Sequence, residues 1–345
     1  MLEKFIAQLA TARPLADGQV RLAVEQLTDE KVPTALKAGF LTALAQKGEN
    51  PGEIAAFARE LRDQSIQPPL DAETCAREIL DVVGTGGDRH GTFNISTTTA
   101  IVCAAAGVTV AKHGNRAVTS QAGSADVLEA LGVRIDLTPA EAARSLRERH
   151  FAFFFAPNYH PAFKHIAPAR KLCAERGQRT IFNFLGPLLN PARPSAMLVG
   201  VPRPEMCEPL ARVLQSLGVR RAMVVCGSVP MAGHLDELST LGGNTIAEFY
   251  QERGLATSVL SPEQFPLQPA KLADLIGGDC KANAEIVRRI LRGEERGPKR
   301  DAILLNAAAA LFVAGKTKSL VEGWDLAAGI IDDGRANAKL AELAR

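Results

Sequence analysis

The sequence predicts an α/β protein in which an N-terminal helical domain precedes a larger α/β domain built on a mostly parallel central sheet. Three observations lead there. Residues 1–68 carry helical periodicity and no strand-like run; after the stretch Gln67-Pro68-Pro69-Leu70 short apolar runs alternate with helical stretches; and residues from about 283 to 345 return to helical patterning. At 345 residues the chain exceeds one ordinary small domain and can bury a large core.

In the first unit Leu36, Phe40 and Leu44 recur at i, i+4 and i+8, and Ile54, Ala58 and Leu61 repeat the stripe with a shorter last step. The last helix of this unit begins with Asn50 as N-cap, Pro51 at the first helical position and Glu53 closing a capping box. Beyond the proline linker, residues 79–83 read as a strand, 96–106 as a helix, 108–111 as a strand, 124–131 as a helix and 133–135 as a further short apolar run. Thr138-Pro139 opens a helix with Glu141 as capping partner, and 151–155, 197–201 and 222–226 read as further strands. Alternation of this kind favours parallel strands with covering helices. Residues about 161–176 read as helix again, with Pro168 as a kink, and rejoin the N-terminal helices. The expected division is therefore 1–68 plus helices around 161–190 in one domain, and 74–160 with 191–345 in the other.

Composition narrows the partners. Forty Lys and Arg against 38 Asp and Glu leave a net charge of +2, far from the excess that non-specific binding to nucleic acid or an anionic membrane needs, so an anionic ligand must be captured locally. The longest apolar stretches, 99–107 and 307–315, fall short of a bilayer span, and the N-terminus lacks a signal-peptide pattern, so a cytoplasmic location is expected. The six cysteines form no C-x-x-C pair and stand near no His at zinc-finger spacing, which points to buried thiols.

In open α/β sheets ligands bind at the carboxyl ends of the strands, so the loops leaving the strands carry the chemistry. The first strand runs into Gly84-Thr85-Gly86-Gly87-Asp88, continues through Gly91-Thr92-Phe93-Asn94 and enters a helix at Ile95-Ser96-Thr97-Thr98. Glycines let the backbone approach a phosphate, and the helix start points its N–H groups at an anion. A Gly-rich reversal alone would need one capping residue; the series Asn94, Ser96, Thr97 suits several phosphate oxygens. Neither common nucleotide fingerprint fits. The next strand ends in Lys112-His113-Gly114-Asn115-Arg116, followed by Thr119-Ser120 and by Gly123-Ser124-Ala125-Asp126 opening a helix. Lys112 can neutralise a phosphate, whereas Arg116 suits a structural role as well as a ligand role. Asp236-Glu237, after the strand at 222–226 and a loop at 227–233, is a carboxylate pair of the kind magnesium accepts, although acidic pairs also start helices or sit in solvent. The helix from His160-Pro161 carries Lys164, His165, Arg170 and Lys171, and an Arg there could fork onto a carboxylate.

These residues together resemble the anthranilate phosphoribosyltransferase family of tryptophan biosynthesis over essentially the whole length. The resemblance rests on GTGGD at 84–88, TFNIST at 92–97, KHGNR at 112–116, GSADVLEALG at 123–132, HPAFKH at 160–165, RTIFNFLGPLLNP at 179–191 and LDELS at 235–239. It implies a nucleoside phosphorylase/phosphoribosyltransferase-like fold, a homodimer formed through the helical domain, and transfer of a phosphoribosyl group from phosphoribosyl pyrophosphate to anthranilate with Mg2+, two ions per subunit. Carried over by position, the activated sugar falls to Gly84, Gly87, Asp88, Thr92, Asn94, Ile95, Ser96, Thr97, Lys112, His113, Gly114, Asn115, Arg116, Ala117, Val118, Thr119, Ser120 and Ser124. Anthranilate falls to Gly84, His113, Asn115 and Arg170, and magnesium to Ser96, Asp236 and Glu237. The chain departs from the family pattern in four places: Arg89-His90 stand where a glycine usually follows GTGGD, Cys226 stands for a histidine, the loop through Pro230 and Met231 is longer, with His234 in place of a glycine, and the stretch from Arg170 to Arg179 is slightly long.

Two other readings remain at this level. One is a nucleoside phosphorylase of the same fold. The other is a nucleic-acid-binding relative, suggested by Arg288, Arg289, Arg292, Arg296, Lys299 and Arg300, although Glu294 and Glu295 among them favour a solvated face.

Overall fold

A computed structural model describes residues 1–117, 121–251 and 253–345. Three of the expected sugar-binding positions, Val118, Thr119 and Ser120, lie outside the described residues.

The sheet holds eight strands: β1 (Ile79–Gly84), β2 (Thr109–Gly114), β3 (Phe151–Phe155), β4 (Ala196–Gly200), β5 (Arg221–Val229), β6 (Gly233–Leu235), β7 (Asn244–Tyr250) and β8 (Arg253–Leu260). Their order is β3-β2-β1-β4-β5-β7-β8, with β6 paired to β5. The first five are parallel, and the pairs made by β6, β7 and β8 are antiparallel. The chain winds outward from β1 through β2 and β3, then returns to place β4 on the other flank of β1. That reversal is the topological switch point of an α/β sheet, where a crevice opens at the carboxyl ends of the strands.

Alternation along the strands feeds two cores. Leu80, Val82, Leu198, Met223 and Val225 pack with the helices Ile95–Ala105, Cys280–Leu291, Pro298–Val313 and Leu320–Asp332. Met197, Val199, Ala222 and Val224 face the other way, onto the helix Cys207–Ser216 and a core continuous with the N-terminal helices Leu2–Leu9, Asp17–Thr28, Thr34–Lys47 and Pro51–Asp63. The capping box expected at Asn50 forms: its side chain accepts from the Glu53 N–H at 2.9 Å, and Glu53 accepts from the Asn50 N–H at 3.2 Å. Glu53 also takes the Leu15 N–H at 2.9 Å and pairs with Lys47, so one capping residue anchors three segments.

The later helical stretch joins this bundle. A 3-10 turn, Pro161–His165, leads into the helix Ala167–Glu175, which packs on Thr34–Lys47. Buried Lys37 donates to the His165 carbonyl at 2.8 Å and to the Asp29 carbonyl at 2.7 Å. Pro168 is the second residue of its helix; it opens the helix where no N–H is needed and introduces no kink.

Two expectations for the sheet are corrected. Residues 133–135 form no strand; Val133 and Ile135 are buried in the connection leading to the helix Pro139–Arg149. The segment 227–233 is no open loop either: β5 continues to Val229 and turns back through β6, leaving only Pro230-Met231-Ala232 between them. Strand β8 is an edge strand whose residues are mostly exposed, so it carries little apolar alternation, while β7, Asn-Thr-Ile-Ala-Glu-Phe-Tyr, is an interior strand whose apolar run is broken by polar residues. Among the described residues no helix is long and apolar enough to cross a membrane.

Candidate functional site

Three adjacent strands carry a glycine near their carboxyl ends for a steric reason. Gly84 and Gly200 are register partners at the ends of β1 and β4, and Gly227 follows on β5. The segment 235–239 crosses directly over them. A Cβ on Gly200 would lie 1.6 Å from the Asp236 carbonyl oxygen, one on Gly84 2.3 Å from Asp236 Oδ2, and one on Gly227 2.5 Å from the Glu237 carbonyl oxygen. The three glycines form a saddle that seats the acidic pair over the strand ends. Sequence reading singled out Gly84 alone; the signal for Gly200 and Gly227 was a glycine closing or interrupting an apolar strand run.

Of the seated carboxylates Glu237 is buried and Asp236 half-buried. Asp236 Oδ2 accepts from the Gly86 N–H at 2.6 Å. Burial first, and then the charge of Asp88, push Asp236 up to about 8, while burial and Asp236 raise Glu237 well above the usual carboxylate range. The Ser96 backbone N–H is hydrogen-bonded to Glu237, and Asp88 Oδ2 is buried without a partner among the described residues. Hard oxygen donors that repel one another in a dry site suit a divalent cation. No three His, Cys, Asp or Glu side chains converge on one point among the described residues, so the chain supplies part of a coordination set, the mode in which magnesium keeps waters and takes substrate phosphate oxygens.

The turn after β1 is pinned at both ends. Gly86 and Gly87 sit at φ of 75° and 94°, where other residues are strained. Its far half pairs with 275–277: Phe93 N–H donates to the Leu275 carbonyl at 3.1 Å and Gly277 N–H to the Gly91 carbonyl at 2.9 Å, with Thr92 bridged to Ile276. Asn94 caps nothing with its side chain. Its Nδ2 donates to the Ala122 carbonyl at 3.2 Å and its Oδ1 accepts from Asn283 Nδ2 at 2.9 Å. The helix behind it is left with an uncapped N-terminus, and the Thr97 hydroxyl is buried without a partner among the described residues.

The second turn meets the first. Lys112 is buried and its Nζ donates to the Val82 carbonyl at 2.7 Å and to Ser96 Oγ at 3.4 Å. That contact, the Asn94 bond to Ala122 and the Gly86 bond to Asp236 bring residues 84–97, 112–117, 121–124 and 236–237 onto one crevice. Asn115 is exposed and its Oδ1 accepts from the Arg116 N–H at 2.8 Å. Arg116 is committed elsewhere: it pairs with Asp126 at 2.9 Å and Glu129 at 2.8 Å and lies 5.7 Å from the Phe155 ring centroid. Asp126 in turn accepts from the Ala117 and Gly123 N–H groups, both at 2.9 Å, holding the turn beside half-buried Ser124.

On the other side of His113 a train of rings leads toward the helical bundle. His113 Nδ1 lies 3.3 Å from the Gly186 carbonyl, and its Nε2 is buried without a partner among the described residues. Its ring meets His160 edge-on at 5.4 Å, His160 stands 5.0 Å from Phe163, Phe163 5.8 Å from Phe182, and Arg170 lies 4.9 Å over Phe182. Arg170 is exposed and pairs with no carboxylate among the described residues. His160 and Phe182 were not singled out individually from the sequence, because a ring on an apolar segment reads as core.

Burial holds His113 down to about 3 and His160 down to about 4. The unfolded chain binds a proton at about pH 6.5 that folded His160 refuses, so stability is full above that pH and falls as pH drops toward 4. From about pH 7.5 to about pH 5 the wild type should lose about 2 kcal/mol more than His160→Asn, measured by urea denaturation of both proteins. An equal loss in the two would refute neutral burial of this ring.

The arginine-rich stretch near 290 is neutralised. Arg288 donates to the Ala130 carbonyl at 2.7 Å, Arg289 pairs with Glu295 at 3.3 Å, and Arg296 and Arg300 share Asp332 at 3.4 and 2.8 Å.

Two family models match the chain. Residues 3–65 match the family model described as the helical bundle domain of a glycosyl transferase family, and residues 76–337 match its a/b domain. The chain is 44% identical over 343 residues to an anthranilate phosphoribosyltransferase of Petrotoga mobilis, covering 99% of this chain and 96% of that protein. It is 46% identical to that of Lacticaseibacillus casei, with the same coverage. Among solved structures, anthranilate phosphoribosyltransferase from Thermus thermophilus superposes with a TM-score of 0.88 at 42% identity over 98% of both chains. The Saccharomyces cerevisiae enzyme in complex with PRPP and Mg superposes with a TM-score of 0.87 at 27% identity, over 99% of this chain and 96% of that one.

Proposed function

The chain belongs to the anthranilate phosphoribosyltransferases, and from that premise we propose how its crevice holds the two substrates. The enzyme transfers the phosphoribosyl group from phosphoribosyl pyrophosphate to the amine of anthranilate, giving N-(5-phosphoribosyl)anthranilate and pyrophosphate, a step of tryptophan biosynthesis. The observation that carries the assignment is the meeting of the 84–97 and 112–124 turns with the saddle-seated Asp236-Glu237.

The sugar diphosphate is assigned to Gly84, Gly87, Asp88, Thr92, Asn94, Ile95, Ser96, Thr97, the 112–120 turn and Ser124. The Thr97 hydroxyl, buried without a partner among the described residues at the start of a helix that no side chain caps, supports this. Arg116 contributes by holding the turn through Asp126 and Glu129. Magnesium, when bound, neutralises charge developing on the departing pyrophosphate. Ser96, Asp236 and Glu237 would hold it, and we propose two ions per subunit. Lys112 sits beside Ser96 and adds a fixed cation on the leaving-group side. Anthranilate's aromatic amine is already neutral near pH 7, so no general base is needed, and orientation by Gly84, His113, Asn115 and Arg170 does the work. The neutral His113–His160 pair presents an uncharged wall to the acceptor ring.

We further propose that residues 1–68 with the helices at 161–190 form one domain and 74–160 with 191–345 the other, that two chains associate through the helical domain, and that the enzyme works in the cytoplasm without nucleic acid or membrane partners. Pairing of Arg289, Arg296 and Arg300 with carboxylates supports the reading without a nucleic-acid partner. Purified protein mixed with magnesium, phosphoribosyl pyrophosphate and anthranilate should quench anthranilate fluorescence, and persistence of the signal would refute the assignment. Arg170→Ala should raise KM for anthranilate about 10- to 100-fold, the value of one charged hydrogen bond, with KM for phosphoribosyl pyrophosphate little changed. Equal shifts in both constants would remove Arg170 from the acceptor site.

A further inference from the structure

Strands β1 and β2 part company early. Their backbone pairing covers only Ile79 with Thr109 and Leu80 with Val110, whereas β1 stays paired with β4 as far as Gly84 and β2 with β3 as far as Gly114. Past that point three side chains occupy the places of the missing ladder bonds. Lys112 Nζ donates to the Val82 carbonyl at 2.7 Å, Asn190 Nδ2 donates to the Ala111 carbonyl at 2.7 Å, and the His113 N–H lies 3.4 Å from Asp81 Oδ1. Asp81 and Asn190 are also joined to each other, Nδ2 to Oδ2 at 2.9 Å, and both side chains are fully enclosed. Asn190 Oδ1 accepts from the Ala192 N–H at 2.9 Å, which fixes the side chain to the segment returning from the helical bundle to β4.

We propose that Asp81 and Asn190 form a wedge that holds the ends of β1 and β2 apart and so sets the spacing of the two phosphate-binding turns. They are positioning residues and touch no substrate. A continuous β1–β2 ladder would place the strands at about 4.8 Å separation to their ends and close the crevice between the turns. An apolar pair could fill the same volume, but it would leave the Ala111 carbonyl and the His113 N–H buried and unsatisfied. The wedge therefore joins three things in one hydrogen-bonded unit: the split in the sheet, the 112–116 turn and the crossing segment at 186–190, whose Gly186 carbonyl already meets His113. Sequence pattern alone gives no hint of it, since an Asp inside an apolar strand and an Asn before a proline read as a lone buried acid and a turn.

The inference rests on the substrate assignment above, and the experiment separates the two. Binding of phosphoribosyl pyrophosphate with Mg2+ is measured by calorimetry for the wild type, Asn190→Ala and Asp81→Asn, alongside KM for both substrates and thermal stability. Wild-type protein that fails to bind overturns the substrate assignment itself. If the wild type binds, the wedge predicts that Asn190→Ala loses tenfold or more in affinity for phosphoribosyl pyrophosphate. Asp81→Asn, which keeps the shape but sets an amide N–H against Asn190, should lose affinity in the same direction and carries the test if Asn190→Ala does not fold. Variants that melt earlier yet bind phosphoribosyl pyrophosphate as the wild type does would reduce the pair to a structural contact and overturn the proposal.

Discussion

Asp236→Ala lowers kcat/KM by about 10³-fold, roughly 4 kcal/mol of transition-state stabilisation, while leaving the ligand-free protein at least as stable as the wild type. The two halves of this expectation come from one geometry. Glu237 is buried and Asp236 half-buried; besides burial, the charge of Asp88 raises the cost of ionising both, and Asp236 raises that of Glu237. Removing one carboxylate relieves that repulsion and exposes only the Gly86 N–H, on an exposed turn where water replaces the lost acceptor. Glu237→Ala behaves alike. Steady-state kinetics at saturating magnesium with melting curves of ligand-free protein check both statements. Undiminished turnover refutes the metal-binding role, and a large fall in melting temperature refutes the claim that the cluster is held against its own repulsion.

Gly200→Ala is the second large effect, and it acts without touching a functional group. The added methyl would stand 1.6 Å from the Asp236 carbonyl oxygen, 2.3 Å from its carbon and 3.0 Å from the Glu237 nitrogen, all backbone atoms that no side-chain rotation can move aside. The 235–239 segment must lift, carrying both carboxylates with it, and a misplacement of about 1 Å costs on the order of 100-fold in rate. Gly18→Ala serves as the control. It lies in the helix Asp17–Thr28 with nothing within 4 Å, so it should stabilise the protein by about 1 kcal/mol and leave the rate unchanged. Wild-type activity in Gly200→Ala would show that the acidic segment does not depend on the glycine saddle.

Much of the site was legible because its chemistry is local. GTGGD and the helix start after it advertise an anion cradle through residue type and spacing alone, and the capping boxes at Asn50 and Thr138 form as their sequences require. The misreadings share a different cause. Residues 133–135 offer Val133 and Ile135 to the core, yet pair with no strand and bury those side chains in the core that the helix Ile95–Ala105 also feeds. Asn94 has the right identity for an N-cap but spends its side chain on Ala122 and Asn283, contacts 28 and 189 residues away in sequence. For Arg116 the sequence left a structural role and a ligand role both open, and its bonds to Asp126 and Glu129 come from the fold.

By itself the sequence determined the helical bundle, the parallel strands, the two glycine- and hydroxyl-bearing turns and the identity of the acids and bases on them, because periodicity, capping and turn chemistry act over a few residues. Only the tertiary structure decided why Gly200 and Gly227 must be glycine, which strands pair to their ends and which part, and which of the charged residues face the crevice. Those properties arise from the approach of segments more than a hundred residues apart, as when Gly86 meets Asp236 or Asp81 meets Asn190. Close packing leaves no slack at such crossings, so a single methyl or a single amide decides them.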